Sequence, residues 1–183
     1  RQSLNIDVKT KIFGFVGRVV PEKGINELLN AFMELDRENN AILIVVGPLE
    51  DAHRLDQELF EKSKHHDRII YTGAVSNAAQ YFAVFDYLLL PSYREGFGMT
   101  VLEAAALGTP SIITDINGPT DFVIDGFNGI ICEVKSFISL KKAMERALPM
   151  DINDYCEMSK NAYTLVKEKY DSKIFSQHYK QNR

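Results

Sequence analysis

Residues 41–47 read AILIVVG, an unbroken aliphatic run that stops at Pro48. A run of that length with no polar alternation suits a strand covered on both faces, the condition of a parallel sheet. Similar runs recur as KIFGFV at 11–16, RIIYTG at 68–73, YLLLPS at 87–92, PSIIT at 110–114 and GIICEV at 129–134. Helical periodicity fills the intervals. INELLNAFMEL at 25–35 places Ile25, Leu28, Leu29, Phe32, Met33 and Leu35 on roughly one face. A polar helical stretch fits 52–65 and a short helix 77–84, a helix starts near Met99, and the chain from about Ser136 onward reads as helix. Strands alternating with helices predict an α/β chain with a Rossmann-like, doubly wound parallel sheet of about six strands and a helical C-terminal tail. Residues 1–150 are expected to form the sheet domain and 151–183 a helical extension packed partly on it, leaving partly exposed an apolar stripe that includes Leu165, Tyr170, Phe175 and Tyr179.

Composition narrows the function. The net charge is −4 and the pI about 5.6, so a nucleic-acid surface, which needs a basic excess, is not expected. No apolar stretch approaches the roughly 18 residues of a membrane span. Cys132 ends an apolar run and reads as a core residue, while Cys156 lies in a polar helical segment. The two share no CxxC spacing, adjacent His65 and His66 would point about 100° apart on a helix, and His53 and His178 lack nearby ligand partners, so no metal site is expected. The chain opens on Arg1 with nothing resembling a signal peptide, which suggests part of a longer protein. Neither G-x-G-x-x-G nor G-x-x-x-x-G-K-[ST] occurs, and no D-x-D pair is present to hold a divalent ion on a diphosphate.

In a doubly wound sheet, ligands bind beyond the carboxyl ends of the strands. That rule selects the loops at 17–24, 73–77 and 91–99. The first, GRVVPEKG, carries Arg18 and Lys23 between Gly17 and Gly24. Arginine can grip a phosphate bidentately and lysine acts as a point charge. The same spacing also suits a solvated basic pair. The third loop holds Glu95, Gly96, Phe97 and Gly98 before a helix whose free amides at Met99 and Thr100 would favour an anion. Glu95 and, one turn into the helix, Glu103 would repel a bare phosphate. A ligand carrying both phosphate and hydroxyl groups reconciles them, although Glu103 also suits simple complementation of the helix dipole. In the second loop, Val75 offers an apolar face to a base, or merely completes a turn.

The stretch EGFGMTVLEAAALGTPSI resembles the E-x7-E motif of retaining GT-B glycosyltransferases of the group 1, family 4 type, with Glu95 and Glu103 at the required separation. GFVGRVVPEKGINELLNAF, VVG, YTGAV, FDYLLLPS and DGFNGII extend the resemblance over nearly the whole chain. It implies one half of a GT-B fold: the carboxyl-terminal, donor-binding domain of a two-domain hexosyltransferase, with the amino-terminal acceptor domain outside this chain. Arg18 and Lys23 would then hold the diphosphate of a nucleotide sugar such as a UDP-sugar. Glu103 would take the ribose hydroxyls and Glu95 the donor sugar, with Glu95, Arg18 and Lys23 as the catalytic set. Gly17 and the segment Gly96, Phe97, Gly98, Met99 and Thr100 would line the sugar and distal phosphate, and Val75 would mark the base pocket. The resemblance implies transfer with retention in polysaccharide or glycoconjugate biosynthesis, with no cofactor and no metal. The acceptor would be a glycan, a lipid-linked sugar or a small molecule, met in the cytoplasm or at the inner face of the membrane. An epimerase or phosphorylase on the same fold, or a non-catalytic nucleotide-sugar-binding module, would share the pocket. Relatives carry a small residue followed by Pro-Glu where this chain reads NGPTDFVIDG, with Asn117, Gly118 and Thr120 in that connection.

Overall fold

The computed structural model describes residue 1 and residues 6–35 and 38–169. Six parallel strands form one sheet: β1 (Lys11–Val16), β2 (Ala41–Val46), β3 (Ile69–Gly73), β4 (Tyr87–Leu90), β5 (Ser111–Thr114) and β6 (Gly129–Cys132). The strand order is β3-β2-β1-β4-β5-β6. The helices are α1 (Ile25–Met33), α2 (Gln57–Lys64), α3 (Ala79–Phe82), α4 (Met99–Ala105), α5 (Phe137–Ala147) and α6 (Ile152–Lys169). This is the α/β, Rossmann-like arrangement expected from the alternation of runs.

Alternate residues of each aliphatic run go to opposite cores. Phe13, Leu43, Val45 and Leu89 join the side chains of α1, α2 and α5 on one face. Ile12, Ile44, Val46, Leu88 and Leu90 join those of α3, α4 and α6 on the other. A strand that serves two cores has no solvent face, which is why the sequence shows no polar alternation. Cys132 is buried at the end of β6, and burial pushes its thiol up to about 12, so it remains protonated packing. Cys156 is exposed.

Two helical expectations are refined. The stretch 52–65 is not continuous: a 3-10 turn at Ala52–Arg54 gives way to buried Leu55, and Asp56 starts α2 by accepting from the Leu59 amide at 3.0 Å. The stretch after Ser136 is two helices, parted where Asp151 accepts from the amides of Asn153 (2.7 Å) and Asp154 (3.1 Å). Helix α6 packs on α4 and buries Ala162 and Val166 in the second core. Leu165, expected on a partly exposed apolar stripe, is half-buried against that same core. The other members of that stripe, Tyr170, Phe175 and Tyr179, lie outside the described residues. No helix among the described residues is long and apolar enough to cross a membrane.

Candidate functional site

The strand order reverses between β1 and β4, so the connections leaving their carboxyl ends diverge to opposite faces and open a crevice. Both walls of that crevice come from loops singled out in the sequence. After β1 the chain runs through Gly17 and Arg18 to a 3-10 turn at Pro21–Lys23 and then into α1. After β4 it runs through Pro91 and Glu95 to α4. Gly24 joins the two. It adopts φ 71°, and a Cβ there would stand 2.0 Å from the Pro91 carbonyl oxygen. The Tyr93 amide donates to the Glu22 carbonyl at 3.0 Å, which holds residues 22–23 alongside 93–95.

The walls enclose a cleft of about 550 Å³ lined by four cations, Arg18, Lys23, Arg54 and Arg94, by two carboxylates, Glu22 and Glu95, and by Val20 and Gly96. Lys23 Nζ lies 2.5 Å from Glu95 Oε1, with the two side chains only 26% and 14% exposed. The same Oε1 accepts from Ser92 Oγ at 2.7 Å. Ser92 is fully buried, and its carbonyl takes the Thr114 hydroxyl at 2.5 Å, so the end of β5 fixes the residue that fixes Glu95. Among the described residues nothing donates to Glu95 Oε2. That oxygen retains its capacity to accept a hydrogen bond from a ligand.

The other charges behave differently. Arg54 pairs with Glu22, whose carboxyl is held below its usual range by its own backbone amide first and the Arg54 guanidinium second. Arg18 stands 3.8 Å from Asp51 with both groups well exposed, a pairing of little energetic weight. Arg94 makes no ion pair or hydrogen bond among the described residues.

Two supports hold the Glu95 loop from behind. The Tyr93 phenol lies 2.8 and 2.9 Å from the two oxygens of Glu27 on α1, and burial first, then Glu27, pushes its pKa far above the ordinary tyrosine value. It therefore stays a neutral donor. The Lys135 ammonium lies 5.0 Å from the centre of the Tyr93 ring. On the other side Gly118, at φ 93°, comes so close that a Cβ would lie 2.2 Å from the Gly96 carbonyl oxygen. The connection read as NGPTDFVIDG is thus a buttress for the Glu95 loop.

Of the residues named from sequence, the structure brings Arg18, Lys23, Glu95 and Gly96 into one cleft. Gly17, Phe97, Gly98, Met99, Thr100 and Glu103 continue from it without lining it, with Glu103 half-buried on α4 and already engaged within the protein. No side chain caps the start of α4, where Gly98 sits at φ 71°. Val75 is off the cleft, half-buried against the second core. Sequence reasoning passed over Glu22, Arg54, Ser92 and Arg94. The rule that ligands gather at carboxyl ends applies equally to the loop after β2, which carries Arg54, and Arg94 stood unassigned inside the YREGFG stretch.

The family model for glycosyl transferases group 1 matches residues 1–165. The capsular polysaccharide biosynthesis glycosyltransferase CapM of Staphylococcus aureus is 30% identical over 167 residues, covering 89% of this chain and 43% of that protein. Anabaena Alr3699/HepE, solved in complex with UDP and glucose, is 21% identical with a TM-score of 0.85 over 100% of this chain and 50% of that one, a likeness of fold. The C-terminal domain of LpcC, a glycosyl transferase group 1 family protein from Francisella tularensis, is 25% identical with a TM-score of 0.79 over 93% of this chain and 91% of that domain. The chain thus spans less than half of CapM and nearly all of the separately solved LpcC domain.

Proposed function

The chain belongs to the glycosyl transferases group 1 family, and from that premise we propose that it is the donor-binding half of a retaining, family 4 type glycosyltransferase. It binds a nucleoside diphosphate sugar, with UDP as the first nucleotide to test, and the sugar passes to an acceptor hydroxyl brought by a second domain. A glycan or lipid-linked sugar in polysaccharide or glycoconjugate assembly, met at the cytoplasmic face of a membrane, is the acceptor class this reading favours.

The observation that carries the proposal is the Lys23–Glu95–Ser92 arrangement in a cleft at the strand-order reversal. A cation suits the phosphates that leave, while an anchored carboxylate with an open oxygen suits the hydroxyls of the sugar that moves. As the anomeric bond breaks, positive charge grows on the sugar and negative charge on the departing diphosphate. Arg18 and Lys23 stabilise the second, and a carboxylate a hydrogen bond away from the sugar stabilises the first. Glu103 on α4 is assigned the ribose hydroxyls. The lack of a D-x-D pair supports a reaction that runs without a divalent ion.

The test is product analysis on the full-length protein with a panel of UDP-, GDP- and ADP-sugars, with and without chelator. Transfer to an acceptor with retained configuration, unaffected by chelator, is the expected result. Isomerised donor, inverted product, or nucleotide binding without turnover would each replace the proposal with a different activity.

A further inference from the structure

The charges of the cleft do not balance, and the imbalance falls on two residues. Four cations face two carboxylates. Lys23 is committed to Glu95 and Arg54 to Glu22, each in a direct ion pair. What is left uncompensated at close range is Arg18, with only a long, exposed approach to Asp51, and Arg94, with no partner among the described residues. Two positive charges on the walls of a single cleft repel each other, and a dianion placed between them removes that cost.

Arg94 is also held in place. Its predecessor Tyr93 is pinned through its amide to Glu22 and through its phenol to Glu27, and its successor Glu95 through Ser92 and Lys23. The guanidinium therefore projects from a fixed stretch of backbone, although its side chain is exposed. Its field reaches Glu22, where it helps hold that carboxyl below the usual range. A guanidinium fixed at its base and open at its tip can grip phosphate oxygens bidentately, which the paired Lys23 ammonium cannot do without leaving Glu95.

We infer that Arg94 is a phosphate-binding residue of this cleft, forming with Arg18 a two-guanidinium clamp on a diphosphate beside Lys23, whose ammonium stands between that diphosphate and the sugar-side carboxylate. The inference rests on the donor-binding reading above and adds to it a residue and a division of labour.

Calorimetric titration of this chain with uridine, UDP, GDP and inorganic pyrophosphate, for the unaltered protein, Arg94→Gln and Arg94→Lys, tests it. Arg94→Gln is expected to weaken nucleoside diphosphate and pyrophosphate roughly tenfold, the scale of one charge-assisted hydrogen bond, and to leave uridine unchanged. Arg94→Lys is expected to restore part of the loss. Because the side chain is exposed, the melting temperature of both variants should match that of the unaltered chain, which separates lost binding from lost folding. Diphosphate and pyrophosphate affinities within twofold of the unaltered chain, or a loss shared equally by uridine, would overturn the inference and leave the donor reading standing. Arg94-dependent binding of pyrophosphate with no binding of either nucleotide would keep the clamp and sink the donor reading. Binding of neither pyrophosphate nor nucleotide by the unaltered chain would sink both.

Discussion

At the scale of the residue, Glu95 shows how a role depends on a neighbour that sequence does not name. Its place in YREGFG marks it as a site residue, and Lys23 is marked by its loop, yet nothing in either stretch says that the two meet at 2.5 Å. The same holds for Ser92, read as the end of a strand and found to anchor Glu95, and for Arg54 and Glu22, whose pairing needs the β2 loop to fold back over the β1 loop. The pairing yields a prediction. Glu95→Gln removes the charge that offsets Lys23 but keeps the shape, so UDP should bind as tightly as before or a few-fold more tightly, since a freed ammonium can add a charge-assisted contact. Turnover of donor by the full-length enzyme should fall by ~10² or more, the scale of losing one preorganised electrostatic group. Titration and steady-state rates on the same variant check this. A variant that lost UDP affinity in proportion to its rate would show that Glu95 serves the nucleotide and not the sugar.

At the scale of the element, the strands were legible because each feeds two cores, which leaves an aliphatic signature that little else produces. The helices were legible where one face is apolar, as in α1, and were blurred where a cap divides a polar stretch. Asp56 and Asp151 each restart a helix inside a stretch that reads as continuous, because a carboxylate two or three residues upstream of open amides is also an ordinary helix residue. The Asp151 cap predicts a pH dependence. Two backbone amides, Asp154 first and Asn153 second, hold its carboxyl below the ordinary value of 3.8 in the folded chain. A depressed folded pKa contributes stability that is fully present above the unfolded value and is lost as pH falls through the folded one. Asp151→Asn keeps a weaker neutral acceptor. Its deficit in urea melts should therefore be evident at about pH 6 and should shrink as pH falls below the unfolded carboxyl value and on through the lower folded one. A deficit that stayed constant over that range would mean that the charge of Asp151 plays no part in starting α6.

At the scale of the molecule, the class of fold was legible but the strand order was not, since the periodicity of runs says nothing about which strands are neighbours. The order matters because it sets β1 beside β4, and so brings the loops bearing Lys23 and Glu95 to one crevice. That crevice is walled by the loops after β1 and β4, and on the proposed reading the acceptor comes to it on a second domain. Ligand sites commonly lie at such domain boundaries. The chain covers 43% of CapM, and the separately solved LpcC domain is a precedent for studying this half on its own. Holding donor and acceptor in reacting geometry supplies about 7–11 kcal/mol of the barrier in well-oriented systems, roughly a 10⁵-fold or larger factor in rate. A chain that grips the donor alone forfeits that factor while keeping its binding energy. It should therefore saturate with UDP, weakly, and transfer no sugar at a measurable rate. The check is titration alongside a long incubation of the chain with labelled donor and acceptor, against the full-length enzyme. Transfer by this chain within tenfold of the full-length rate would place the acceptor site on these residues and would remove the reason for a second domain.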